Sequence, residues 1–159
     1  MSASAKMVCG LLFAVILAGA ASFSIGEAKS PPPEELTLSV NENFVFLPLR
    51  LHCKAGAPLR IRIAHRTPSS GPDIIHTVVV LSRDANSDEF GQAVLTARAE
   101  DNYVPVSFRN QVLASTALIH AGGSAELNFQ APTASGEYPL VCSFPGHCLL
   151  GMKATLIVE

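Results

Sequence analysis

Near the C-terminus the chain reads Cys142-Ser-Phe-Pro-Gly-His147-Cys148-Leu-Leu-Gly-Met152, four sulfur- or nitrogen-bearing side chains within eleven residues. Each can bind a soft metal, and the cysteines can equally form half of a disulfide or a reactive thiol. The preceding segment, Glu137-Tyr-Pro-Leu-Val-Cys142, has the texture and length of a strand, and Met152 opens a final one. Between them Phe-Pro-Gly makes a tight turn, with Pro145 and Gly146 supplying the restricted and the permissive backbone that a turn uses. Two strands joined in this way bring Cys142, His147 and Met152 around one point, with Phe144 as an apolar wall.

Outward from this loop, the chain has 159 residues, enough for one domain. Residues 1–28 read as a secretory signal peptide. Lys6 supplies the positive start, Leu11 to Ala21 is an apolar run too short to span a bilayer comfortably, and small residues allow cleavage after Ala20 or Ala28. The expectation is an exported protein, periplasmic or extracytoplasmic, with no stable membrane insertion after cleavage. The formal net charge is −2 and no basic cluster occurs, which disfavours nucleic acid as a partner. Cys9 leaves with the signal segment, so Cys53, Cys142 and Cys148 remain. Three cysteines cannot all pair within one chain. At least one is free, shared with another chain or bound to a metal.

A Pro-rich lead-in, residues 29–35, precedes a domain at 36–159 with an all-β texture. Leu36 to Val40 alternates apolar and polar residues. Phe44 to Leu51 is apolar and broken by Pro48, as at an edge or a bulge. Leu59-Arg-Ile-Arg-Ile-Ala64 alternates strictly, so one face is wet. Ile74 to Leu81 reads as a buried strand with the polar pair His76-Thr77 inside it. Asn86 and Glu89 have capping-box spacing, and Phe90, Val94 and Ala97 follow at helical spacing, which predicts one short helix over about 87–99. Strands are expected again at about 112–118, 124–130, 136–142 and 152–158. Seven to eight short strands separated by turns indicate a β-sandwich or barrel.

Thiolate, imidazole and thioether are the ligand types of a mononuclear electron-transfer copper site, which uses two histidines, one cysteine and a weak axial methionine. The loop provides one histidine. A lone histidine on an apolar strand is more often a core residue than a ligand, but the site needs a second imidazole, and His76 is the natural source. His52, His65 and His120 carry no partner pattern and read as surface or turn residues, with His65 toward the metal end. Cys53 reads as a small buried hydrophobe and Cys148 as a small, near-surface non-ligand. A zinc site from His76, Cys142, His147 and Cys148 would leave Met152 idle.

These motifs resemble the cupredoxins, the type 1 blue copper proteins, and within them azurin and auracyanin. The resemblance covers about 36–159. Azurin's Cys-Thr-Phe-Pro-Gly-His appears as CSFPGH, and its Met-Lys-Gly-Thr-Leu as Met152-Lys-Ala-Thr-Leu156. Tyr138 stands four residues before Cys142, and His76 lies 66 residues before it with a helix-bearing insertion between. The resemblance implies a Greek-key sandwich and one copper ion held by His76, Cys142, His147 and Met152. It further implies a monomeric electron carrier, not an enzyme, meeting transient redox partners near His147, Leu149 and Leu150. A copper storage or delivery protein using the same ligands is the alternative. The chain also departs from azurin. Leu149-Leu-Gly lengthens the histidine-to-methionine spacing by one residue, as in auracyanin and plastocyanin. Ile75 replaces a glycine whose carbonyl approaches the metal, and Thr77 replaces an asparagine that bonds the ligand loop. Ser143, Phe144 and Cys148 are the remaining residues expected beside the metal.

Overall fold

The computed structural model describes residues 31–159. The signal segment and its cleavage sites lie outside the described residues. Nine strands form two sheets: β1 (Glu34–Val40), β2 (Phe46–Leu47), β3 (Arg50–Cys53), β4 (Pro58–His65), β5 (Val79–Leu81), β6 (Val112–Ser115), β7 (Ser124–Gln130), β8 (Gly136–Val141) and β9 (Lys153–Val158). One sheet has the order β2-β1-β4-β7 and the other β3-β9-β8-β5-β6. The one α-helix among the described residues, α1 (Ser87–Val94), and two 3-10 turns (Ala99–Asp101 and Val106–Gln111) fill the insertion between β5 and β6.

The count exceeds the expected seven to eight because the Phe44–Leu51 run is two strands. β2 pairs antiparallel with β1, whereas β3 pairs parallel with β9 in the opposite sheet. Pro48 lies between them after a cis peptide bond. It has no N–H to give either ladder, so the chain leaves one sheet there and joins the other. β1 also begins earlier than the alternation suggests, at Glu34, opposite Leu59. The two glutamates of the lead-in fit a strand because both carboxylates find partners: Glu35 meets Arg60 and Arg62, and Glu34 accepts from the Lys54 amide.

β4 behaves as its alternation requires, with Leu59, Ile61 and Ile63 buried and Arg60 and Arg62 outside. The inner faces of both sheets form the main core, with Phe46, Val80, Leu140 and Leu156 fully buried. The five-stranded sheet is also covered on its outer face. There Val79, Leu81 and Val141 meet Phe90, Val94 and Phe108 of the insertion. Burial from both sides explains the unbroken apolar run in β5.

The helix starts where expected. Asn86 caps it, its Oδ1 accepting from the amides of Asp88 (2.9 Å) and Glu89 (3.2 Å) while its Nδ2 donates to Glu89 Oε1. It stops at Val94 rather than 99, because Val94 is the last residue of its buried stripe and the residues after it turn toward solvent. No helix among the described residues is long and apolar enough to cross a membrane.

The largest difference from expectation lies in the segment 74–81. Only Val79–Leu81 forms ladder. His76 makes one isolated bridge to Ile119, and the amide of Val78 bonds the Thr116 hydroxyl at 3.0 Å instead of a backbone carbonyl. The ladder is thus open at Thr77.

Leu140 has no exposed surface and packs between the sheets. Leu140→Ala is expected to cost about 2–5 kcal/mol, read as a lowered denaturant midpoint at unchanged m-value.

Candidate metal centre

Cys142 follows β8 directly and Met152 precedes β9 directly, so the antiparallel β8–β9 pair brings them together. The Cys142 amide donates to the Met152 carbonyl (3.3 Å), and the Met152 amide donates to the His147 carbonyl (3.0 Å). Inside the loop His147 N–H reaches Phe144, Leu150 N–H reaches Gly146, and Gly151 N–H reaches Cys148. Gly146 (φ 86°) and Gly151 (φ 95°) hold the left-handed backbone that lets so short a loop close.

His76 enters from the opened strand. One ligand atom each from His76, Cys142 and His147 lies within 4.8 Å of the others, and all three residues are buried. The two Nδ1 atoms face each other at 3.2 Å, and Cys142 Sγ stands 3.6 Å from His147 Nδ1. His76 Nε2 lies 3.0 Å from the Asn41 carbonyl. A carbonyl only accepts, so Nε2 carries the hydrogen and Nδ1 offers a lone pair to the shared point. His147 is 7% exposed and its Nε2 has no hydrogen-bond partner among the described residues, which makes that edge the centre's contact with solvent. Met152 is fully buried in the same cluster as Cys142.

Burial pushes the Cys142 thiol up, opposed by backbone N–H groups of Thr77 and Phe144 directed at the sulfur. The Thr77 amide, freed from the ladder, is 3.4 Å from Sγ. Such donors stabilise the thiolate that a metal requires. Thr77 also does the loop-bonding work that its shorter side chain put in question. Its Oγ1 accepts from the Ser143 amide (2.7 Å) and lies 2.8 Å from Ser143 Oγ, which in turn donates to the Asn102 carbonyl (2.7 Å). Among the described residues no buried side-chain nitrogen or oxygen lacks a partner. Ile75 is half-buried beside His76.

Two cysteine readings change or sharpen. Cys148 is buried rather than near the surface, and its thiol donates to the Ser87 carbonyl (3.2 Å) of α1. Burial pushes it up to about 11, so it remains a thiol. Cys53 is buried as expected, and neither cysteine is in a disulfide.

His65 lies at the metal end, as expected, but it is buried and not a surface residue, and its ring lies 4.7 Å from that of His76. Its Nε2 donates to the Ile74 carbonyl (2.8 Å) while its Nδ1 accepts from the Thr67 amide. The signal was available: extending the alternation of 59, 61 and 63 by one step puts residue 65 inside. Phe44 carried no such reading in the sequence, and its ring lies 4.5 Å from that of His147, with the Phe144 ring at 4.8 Å. His52 and His120 are exposed, paired with Glu159 and Asp73.

Burial, together with the charge of neighbouring imidazoles, lowers His76 to about 4, and burial lowers His147 to about 4. Both are therefore neutral donors at neutral pH. The unfolded chain protonates these rings first, so metal-free protein loses stability as pH falls from about 6.5 toward 4 and regains it on return. Urea midpoints at pH 7.5 and 5 test this, and equal midpoints contradict it. Thr77→Val, which leaves the buried Ser143 amide unpaired, is expected to cost about 1–3 kcal/mol in the same assay.

The family described as copper binding proteins, plastocyanin/azurin family, matches residues 35–159. Auracyanin-B of Chloroflexus aurantiacus is 43% identical over 74 residues, 45% of this chain and 31% of auracyanin-B. Outer membrane protein H.8 of Neisseria meningitidis serogroup B is 31% identical over 125 residues, 76% of this chain and 66% of that protein. The matches thus span about a third and about two thirds of these relatives' lengths. Among solved structures, auracyanin A of Chloroflexus aurantiacus, a "blue" copper protein, superposes with a TM-score of 0.69 at 25% identity over 80% of this chain and all of that one. With its two-sheet frame and its buried histidine–cysteine–histidine cluster, the chain belongs to the plastocyanin/azurin family of copper binding proteins, the cupredoxins.

Proposed function

We propose that this protein is an exported blue copper electron carrier whose single copper is held by Cys142 Sγ, the Nδ1 atoms of His76 and His147, and Met152 as a weak axial ligand. The observation that carries the reading is the convergence of three buried donors with the His76 tautomer fixed by a carbonyl. Two nitrogens, one thiolate and one thioether match copper, whereas zinc would leave the thioether without a task. Bound there, copper supplies a one-electron Cu(II)/Cu(I) couple.

The residues around it do the rest. Burial disfavours the charged sulfur, and the Thr77 and Phe144 amides directed at it offset part of that cost. Asn41 and His65 fix the His76 ring from two sides, one by hydrogen bond and one by stacking. Phe44 and Phe144 pack against the His147 ring and limit its access to water. Leu149 and Leu150 are exposed beside its solvent-facing edge, Leu150 at 69%. An apolar rim around a single solvent-facing imidazole suits brief contact with redox proteins, for which a small interface suffices. Export rests on the signal-like segment at 1–28.

Adding Cu(II) to the purified protein is expected to produce an intense visible thiolate-to-copper band, and reversible one-electron voltammetry is expected from the same sample. Cys142→Ser abolishes the band. Met152→Leu keeps it and shifts the potential. No band with wild type, or a band that survives Cys142→Ser, sinks the blue-copper reading; copper binding without reversible voltammetry favours storage or delivery.

A further inference from the structure

Helix α1 has a glycine in its middle, where glycine is intrinsically unfavourable. The ligand loop accounts for it. A Cβ on Gly91 would lie 2.9 Å from Leu149 Cδ2, 3.2 Å from Leu149 Cγ and 3.3 Å from Cys148 Sγ. The two residues after His147 therefore sit in a notch of the helix, and one of them belongs to the stretch that makes this loop a residue longer than azurin's. On the same side the Cys148 thiol donates to the Ser87 carbonyl, and Lys153, just past the loop, pairs with Asp88.

The other end of the insertion holds the other end of the loop. Ser143 Oγ donates to the Asn102 carbonyl at 2.7 Å, and the ring of Tyr103 meets that of Phe144 edge-on at 5.3 Å. Asn102 (φ 52°) and Tyr103 (φ 56°) are consecutive left-handed residues. Asparagine tolerates that region, while a bulky tyrosine does so only when its surroundings impose it. Backbone bonds from Asn102 to Ala99 and from Tyr103 to Arg98 impose it here and direct the Asn102 carbonyl and the Tyr103 ring at the loop.

We propose that the insertion between β5 and β6 is a brace for the ligand loop. It grips the loop before His147 through Asn102–Tyr103 and after it through the Gly91 notch, and so positions His147 against His76 whether or not a metal is present. Gly91, Cys148 and Tyr103 are positioning residues and supply none of the converging donor atoms. The consequence for electron carriage rests on the function proposed above; the positioning itself does not.

The test is amide hydrogen exchange on copper-free, purified wild type and Gly91→Ala. Without a brace, alanine in a helix is neutral or stabilising. With it, the added methyl pushes Leu149 and Cys148 off the helix. The amides of His147, Leu150, Gly151 and Met152 are then expected to exchange about tenfold faster while those of Leu59 to Ile63 are unchanged. Adding Leu149→Ala to Gly91→Ala makes room for the methyl and is expected to restore most of the protection. Loop exchange that is unchanged or slowed in Gly91→Ala, or matched by equal acceleration in the sheet, overturns the brace. If that variant does not fold, Cys148→Ala is read by the same criteria. In copper-loaded protein, Gly91→Ala is expected to alter the midpoint potential and the visible spectrum, and values identical to wild type overturn the effect on electron carriage. A wild type that binds no copper would instead defeat the function proposed above and leave the exchange result standing.

Discussion

One backbone N–H, that of Thr77, organises the centre. In an unbroken strand it would bond a neighbouring carbonyl. Here it turns to the sulfur of Cys142, 65 residues away in sequence. The flanking residues meet the cost of opening the ladder. His76 exchanges both its backbone groups with Ile119, and Val78 takes the Thr116 hydroxyl. A strand otherwise built for burial therefore delivers one imidazole and one sulfur-directed donor from consecutive residues.

The rest of the polar cluster follows from that break. Thr77, Ser143, His65, His76 and His147 are all buried, and burying such groups is unfavourable unless each finds a partner. The hydroxyls of Thr77 and Ser143 form a chain ending on a backbone carbonyl, and the two strand-borne histidines end on carbonyls of Asn41 and Ile74. What is left over is a small set of lone pairs aimed at one volume: two imidazole nitrogens and a thiol sulfur. A network that ties down the groups around a metal's donors and leaves the donors converging is preorganised for a soft cation in the same sense that a capped helix is preorganised for its first turn.

Much of this was legible in the sequence, and the misses have physical causes. The ligand loop could be read because its donors are side chains at short spacing between two strand-like segments. The start of α1 could be read because a cap is a local interaction among Asn86, Asp88 and Glu89. The end of α1 could not, since it depends on where the sheet beneath stops offering apolar contact. Asn41 and Asn102 act through carbonyls, which every residue has, so composition carried no hint of them. Cys148 reads as near-surface because His147 points inward and adjacent residues tend to point apart. Its burial depends on α1 lying over it, a tertiary contact. His65 is different in kind, since its inward direction was written in the alternation of β4.

The position of β9 ties the frame to the centre. It is interior to its sheet, hydrogen-bonded to β3 on one side and β8 on the other. The strand that joins β3 to β8 is also the anchor that closes the ligand loop. Peeling β9 away would therefore split the sheet and scatter the donor set in one movement, so frame and centre are gained and lost together.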